Sequence, residues 1–300
     1  MTTPEGGARK PRIGIMGEFS AGKSTLSNLL LGQRILPEQV TATRLPPVWI
    51  VQGDKPAQRA ALDGSLHPMS LVDLEEISLE ETLYVKIGID APVLDECDLI
   101  DFPGISDPNM PSEVWERMLA EVDSVLWCTH ATQAWRQSEA AAWGMVPEAV
   151  RQRSLLLITR FDKLTTPLDK LRVQTRVARE TEGLFAGVCP ISLTEALAAA
   201  PDSPEWEASG AETFADALEA VVRAAACGGL PEAMPAQTQL TAPAAPEPAE
   251  PSTSAPQPAP GRVMPRRVRP KGETRTPRPS ARPQAADQDL SALRREMQET

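Results

Sequence analysis

The densest chemical signal in the chain is the run GEFSAGKST at residues 17–25. Its spacing, G-x-x-x-x-G-K-[ST], is that of a loop built to hold phosphates. Glycines at 17 and 22 allow a tight bend, in which the N–H groups of Gly17, Glu18, Phe19, Ser20, Ala21 and Gly22 can converge on one anion. A helix opening at Lys23 adds a favourable dipole. In this chemistry Lys23 reaches the β- and γ-phosphates, the Ser24 hydroxyl ligates Mg²⁺, and Thr25 completes the motif. Alone, the motif implies nucleotide binding and is silent on the base.

Four further segments, in chain order, address the metal and the base. The run LIDFPG places Asp101 and Gly104 after an apolar strand. There the carboxylate can hold Mg²⁺ through water and the glycine amide can meet a γ-phosphate. ITRFDKL supplies Thr159, Arg160 and Asp162, a pattern close to [NT]-K-x-D. Asp162 can accept from the guanine N1–H and exocyclic amine. Adenine offers no such donor pair and would leave the carboxylate unpaired. Arg160 stands where Lys is usual, and its stem and planar head can still cover a base. Pro190-Ile191-Ser192 fits the last base-side loop, with Ser192 as its polar group. Between the phosphate loop and Asp101 lie Thr41 and Thr43, and the spacing suits either as a threonine for Mg²⁺ and γ-phosphate.

The elements that must position these groups alternate in type. Apolar patterning predicts strands over residues 12–16, 47–52, 57–62, 82–89, 98–101, 124–128, 155–159 and 188–192. Helices are expected over 23–32, 112–120, 133–150, 167–184 and 212–226, with a short one near 71–77. Alternation of this kind implies an α/β fold of the P-loop GTPase type: a mostly parallel central sheet with helices on both faces.

Composition sets the limits of the ordered part. Of 30 prolines, 12 fall in the last 60 residues. Residues 241–300 hold ten Lys/Arg against seven Asp/Glu, so the preceding 240 carry a balance of −14 within the total of −11. An acidic body speaks against general nucleic-acid binding, which needs clustered cations. We therefore expect residues 1–9 to be disordered, a G domain over 10–230, a disordered Pro-rich basic tail over 231–287, and a short amphipathic helix at 288–300 with Leu290, Leu293 and Met297 on one face. Cys97, Cys128, Cys189 and Cys227 show no metal spacing and read as reduced thiols, the first three buried. No apolar run approaches the ~18 residues that span a bilayer, so the expected location is cytoplasmic, with any membrane contact peripheral.

Taken together, GEFSAGKSTLSNLLLG, ILPEQVTATRLP, LIDFPG and TRFDKL resemble the GTPase domain of the dynamin superfamily, especially bacterial dynamin-like proteins, over about residues 10–230. The resemblance implies GTP as substrate, GDP as product, and Thr43 as the switch threonine. Ile105 follows Gly104 where Ras-like GTPases carry a water-orienting glutamine. The resemblance assigns that role to Ser20, with a monovalent cation (K⁺ or Na⁺) and a homodimer across the nucleotide face replacing an arginine finger. It leaves the family's long helical stalk without a counterpart here, so a stalk-bearing dynamin-like partner is expected.

The remaining features have competing readings. The basic run at 262–282 offers either an anionic-membrane contact or a solvated linker that folds back on the acidic body. Trp135 and Trp143, two helical turns apart, fit helix-on-sheet packing better than a dimer patch. His130 ends a strand without nucleophile or metal partner and reads as structural. The leading function is GTP hydrolysis; a nucleotide-gated adaptor that binds GTP and docks a partner through its tail is the alternative, and an ATPase is the third.

Overall fold

A computed structural model gives the fold and describes residues 9–33, 45–106 and 110–231, all within one of the chain's two units, Met1–Ala244. Thr41, Thr43, the end segments 1–8 and 232–300, and most of ILPEQVTATRLP lie outside the described residues.

Among the described residues nine strands form one sheet: β1 (Arg12–Gly17), β2 (Val48–Gln52), β3 (Gln58–Ala61), β4 (Leu66–Pro68), β5 (Thr82–Ile89), β6 (Asp98–Asp101), β7 (Ser124–His130), β8 (Leu155–Thr159) and β9 (Gly187–Pro190). Their order across the sheet is β4-β3-β5-β2-β6-β1-β7-β8-β9. The half from β6 to β9 is parallel throughout, with β1 between β6 and β7. On the other side β2 runs antiparallel to β6 and parallel to β5, and β3 and β4 add an antiparallel edge. The parallel strands are covered on both faces, which is why β7 and β8 read as near-continuous apolar runs rather than alternating ones.

Helices α1 (Lys23–Leu31), α2 (Val93–Glu96), α7 (Leu193–Ala198) and α9 (Ala211–Ala226) supply one core. Its strand side is aliphatic: Ile13, Ile15, Leu99, Leu126 and Leu157. Helix α9 buries Phe214, Ala217, Leu218, Val221 and Ala224, a stripe at helical spacing. A short α8 (Pro204–Ala208) leads into it. The opposite core lies under α3 (Ser112–Glu116), α4 (Gln137–Trp143), α5 (Glu148–Arg151) and α6 (Pro167–Glu180) and is aromatic. Trp127 lies edge-on to Trp143 at 5.2 Å, and Trp143 stacks on Phe185 at 4.2 Å. Cys97, Cys128 and Cys189 are buried free thiols and Cys227 is exposed.

The structure corrects several expected elements. Residues 133–150 are not one helix: a 3-10 turn (Ala131–Gln133), α4 and α5 replace it. Trp135 adopts φ 57°, outside the helical region, and Pro147 forces extended backbone before α5. Trp135 therefore precedes α4 instead of sharing it with Trp143, although both are buried. The expected helix over 112–120 breaks into α3 and a 3-10 turn (Leu119–Glu121). The helix expected to reach residue 184 ends at Glu180, where the Thr181 hydroxyl donates back to the Val177 carbonyl. The last strand ends at Pro190, two residues early.

Because the buried Trp143 indole N–H has no hydrogen-bond partner among the described residues, its ring is held there by packing. Trp143→Ala should cost about 3–5 kcal/mol in denaturant unfolding, and Trp143→Phe less than half of that. Equal losses for the two would contradict the packing account.

Candidate functional site

The loop after β1 is shaped by backbone positions that only small residues fit. Gly17 has φ 144°, and a Cβ there would lie 2.2 Å from the Cys128 carbonyl oxygen. Gly22 has φ 98°, and Ser20, a non-glycine, sits at φ 60°. The chain then enters α1 with Gly22 at its N-cap, and no side chain caps the helix. The N-cap side chain therefore satisfies none of the first helical N–H groups.

Lys23 folds back over this loop. Its Nζ donates to the Gly17 carbonyl at 3.1 Å and to the Glu18 carbonyl at 2.9 Å. Burial pushes the ammonium pKa down, and the nearby Asp101 carboxylate opposes that shift. Asp101 ends β6, paired in register with Ile15. Its Oδ2 accepts from the Ser27 hydroxyl at 3.2 Å, and burial raises its pKa to about 6 against the pull of Lys23. Ser24 is exposed at the start of α1. No group of three or more His, Cys, Asp or Glu with metal-binding geometry occurs among the described residues. A hydroxyl and a single desolvated carboxylate instead suit a hard cation that keeps waters and shares phosphate oxygens.

The turn after Asp101 packs directly on the phosphate loop. Ile105 N–H donates to the Gly17 carbonyl at 3.2 Å, and Phe19 N–H donates to the Ser106 hydroxyl at 3.1 Å. A Cβ on Gly104 would be 3.0 Å from the Phe19 Cα, so the two backbones touch. The Phe19 side chain itself is exposed.

The base-side residues reach the same sheet edge. Thr159 ends β8, fully buried, and its hydroxyl donates to the Ala21 carbonyl at 2.6 Å. Its side chain thus braces the phosphate loop from behind. Arg160 follows at φ 52°, exposed, and projects Asp162 into a 3-10 turn. Asp162 accepts from the Ser192 hydroxyl at 3.1 Å and from Lys163 Nζ at 3.0 Å. Burial acts to raise its pKa, but these hydrogen bonds outweigh it and hold the carboxyl below its usual range. Phe161 N–H to the Ile191 carbonyl ties the two base-side loops together.

Sequence reasoning passed over one set of partners. Glu18 is bonded to Arg136 and Ser138 at the start of α4, 118 and 120 residues away. Behind them Glu139 is buried and accepts from Trp127 Nε1, the Thr129 hydroxyl and Arg136 N–H. Glu139 at the third position of a helix is a visible capping signal; its reach to β7 and the phosphate loop is not. A cavity of about 240 Å³ lies between Glu18–Ala21 and His130, Gln133, Arg136 and Arg160. His130 itself accepts from Thr132 N–H, in keeping with a structural role.

Comparison with known proteins bears on this arrangement. Residues 13–160 match the dynamin family model, a span that includes the phosphate loop, Asp101 and Arg160. This segment is a dynamin-family domain. The chain is 24% identical over 159 residues to dynamin-like protein 2 of Campylobacter jejuni subsp. jejuni serotype O:23/36 (strain 81-176), covering 51% of this chain and 26% of that protein. Two chains from structures of an oligomerised bacterial dynamin pair, described as sensing and tethering membranes, share the fold with a TM-score of 0.52 each. Each is 19% identical and aligns over 72% of this chain, against 35% and 36% of its own length. The chain thus spans between about a quarter and just over a third of the length of these relatives. No helix among its described residues is long and apolar enough to cross a membrane.

The contrast between two glycines tests how tightly the loop is built. Gly17→Ala should destabilise the fold by roughly 3 kcal/mol or more, since its methyl has no room. Gly32→Ala, at φ 64° with open space around it, should cost only about 1 kcal/mol. Equal melting temperatures for the two variants would refute the steric argument.

Proposed function

We propose that this domain binds guanine nucleotide with Mg²⁺ and hydrolyses GTP to GDP. One observation carries the reading: the lysine of the phosphate loop and the carboxylate of the base-side loop lie at the same edge of the sheet, joined through the Thr159–Ala21 hydrogen bond. The backbone of Gly17 through Gly22, with Thr25 behind it, wraps the β-phosphate, and Lys23 exchanges its two carbonyl acceptors for phosphate oxygens. Asp162 exchanges its Lys163 contact for the guanine edge, Ser192 keeps the carboxylate aimed, and Arg160 covers the base. Mg²⁺ would be held by Ser24, Thr43 and, through water, Asp101, where it neutralises charge on the phosphates. Ser20 orients the attacking water, supported by a monovalent cation, because Ile105 has no polar group to offer.

The proposal extends to partners. Two copies face each other across the nucleotide and complete each other's site. A stalk-bearing dynamin-like chain, or an anionic membrane contacted by the basic run at 262–282, receives the signal. The ordered domain is taken as residues 10–230.

GTP turnover measured against protein concentration, with K⁺ and without, tests this. The rate per molecule should climb with concentration and with K⁺. Tight GTP binding with no turnover under any of these conditions would instead leave a nucleotide-gated adaptor. In competition binding, GTP should displace a labelled guanine nucleotide at least tenfold better than ATP, and Asp162→Asn should erase most of that ratio. Unchanged selectivity in the variant would remove Asp162 from base recognition. Lys23→Ala should abolish nucleotide retention while leaving the thermal melt cooperative.

A further inference from the structure

A carboxylate inside a phosphate-binding loop works against the loop's own purpose, and Glu18 is such a carboxylate. Its backbone and side chain are committed in opposite directions. The carbonyl points inward, accepting from Lys23 Nζ at 2.9 Å and from Ala21 N–H at 3.2 Å. The carboxylate points outward: Oε2 meets Arg136 at 3.0 Å, and Oε1 accepts from the Ser138 hydroxyl. The Glu18 side chain is 13% exposed and that of Arg136 45%, so the carboxylate is the better shielded partner.

The receiving end is built rather than incidental. Arg136 N–H donates to Glu139 Oε2 at 2.9 Å, and the same carboxylate is held by Trp127 and Thr129. Thr129 in turn accepts from Trp135 N–H at 2.9 Å, which holds the left-handed turn that presents Arg136. Each bond fixes the next, from the end of β7 to the phosphate loop.

We infer that Arg136 is a positioning residue for the anion cradle: it neutralises Glu18 and keeps that carboxylate turned away from the phosphates. Without it the free carboxylate turns toward Lys23 and competes with the nucleotide for the same cation. Lys23 already feels Glu18 as a nearby negative charge. The inference rests on the nucleotide-binding reading above and goes beyond it by adding a residue outside the phosphate-loop motif.

A double-mutant cycle with the intact chain tests it, reading the dissociation constant of a fluorescent non-hydrolysable GTP analogue with Mg²⁺. Arg136→Gln, which keeps a polar stem and drops the charge, should weaken binding about tenfold at low salt, less at 0.5 M salt. In a Glu18→Gln background the same substitution should change binding by less than about twofold. Arg136→Lys should recover most of the loss. A defect of equal size in both backgrounds would assign Arg136 to general folding and overturn the inference. So would a wild type that binds the analogue and an Arg136→Gln variant that binds it as well. A wild type that binds no guanine nucleotide overturns this inference together with the reading beneath it.

Discussion

A lysine ammonium withdrawn from water beneath a loop of backbone carbonyls is the interaction on which the rest of this domain turns. Removing a cation from solvent is costly unless its donors are satisfied. Lys23 meets that requirement with the carbonyls of Gly17 and Glu18 and with the field of Asp101. The loop can present those carbonyls only because Gly17 lies flat against Cys128 on β7. It stays closed because Ile105 and Thr159 hydrogen-bond to its backbone from either side. Three parallel strands therefore end on one short loop.

The two cores divide the labour of holding that loop. Aliphatic packing under α1 and α9 fixes the helix that begins at Lys23, and with it the direction of its first N–H groups. The opposite core is stiff and aromatic, with Trp127, Trp143 and Phe185 in contact. It carries the polar chain that leaves β7 through Thr129 and Glu139 and reaches Glu18 through Arg136. Displacement of α4 would thus be felt in the loop after β1, while displacement of α9 would act through α8 and β9 on the Ser192 loop, where Ser192 N–H donates to the Ser209 carbonyl. The site is connected to both faces of the sheet by different chemistry.

Local patterning carried much of this fold. β5, β6 and β8 occupy the spans that alternation and apolar runs indicate, and α1 stops at Gly32 as its capping glycine requires. The differences have separate causes. Helix α4 keeps only residues 137–143 of the expected span, because Gly144 and Pro147 follow it before α5 begins. The turn at Trp135 is imposed by its N–H bonding Thr129, a contact with another element. The short helices α7 and α8 and the three-residue β4 have too few residues for any period to register.

The sequence by itself determined the chemistry available: a glycine bend before Lys23, carboxylates at 101 and 162, and no glutamine at 105. These are properties of residue type and order, and they survive any rotation of the chain. Only the tertiary structure decided that Asp101 meets Ser27 of α1, that Thr159 braces the loop after β1 instead of facing outward, and that Glu18 is matched by Arg136. Such pairings join residues more than 70 positions apart and depend on strand order and register. No local pattern records them, because the free energy that selects them belongs to the packed sheet as a whole.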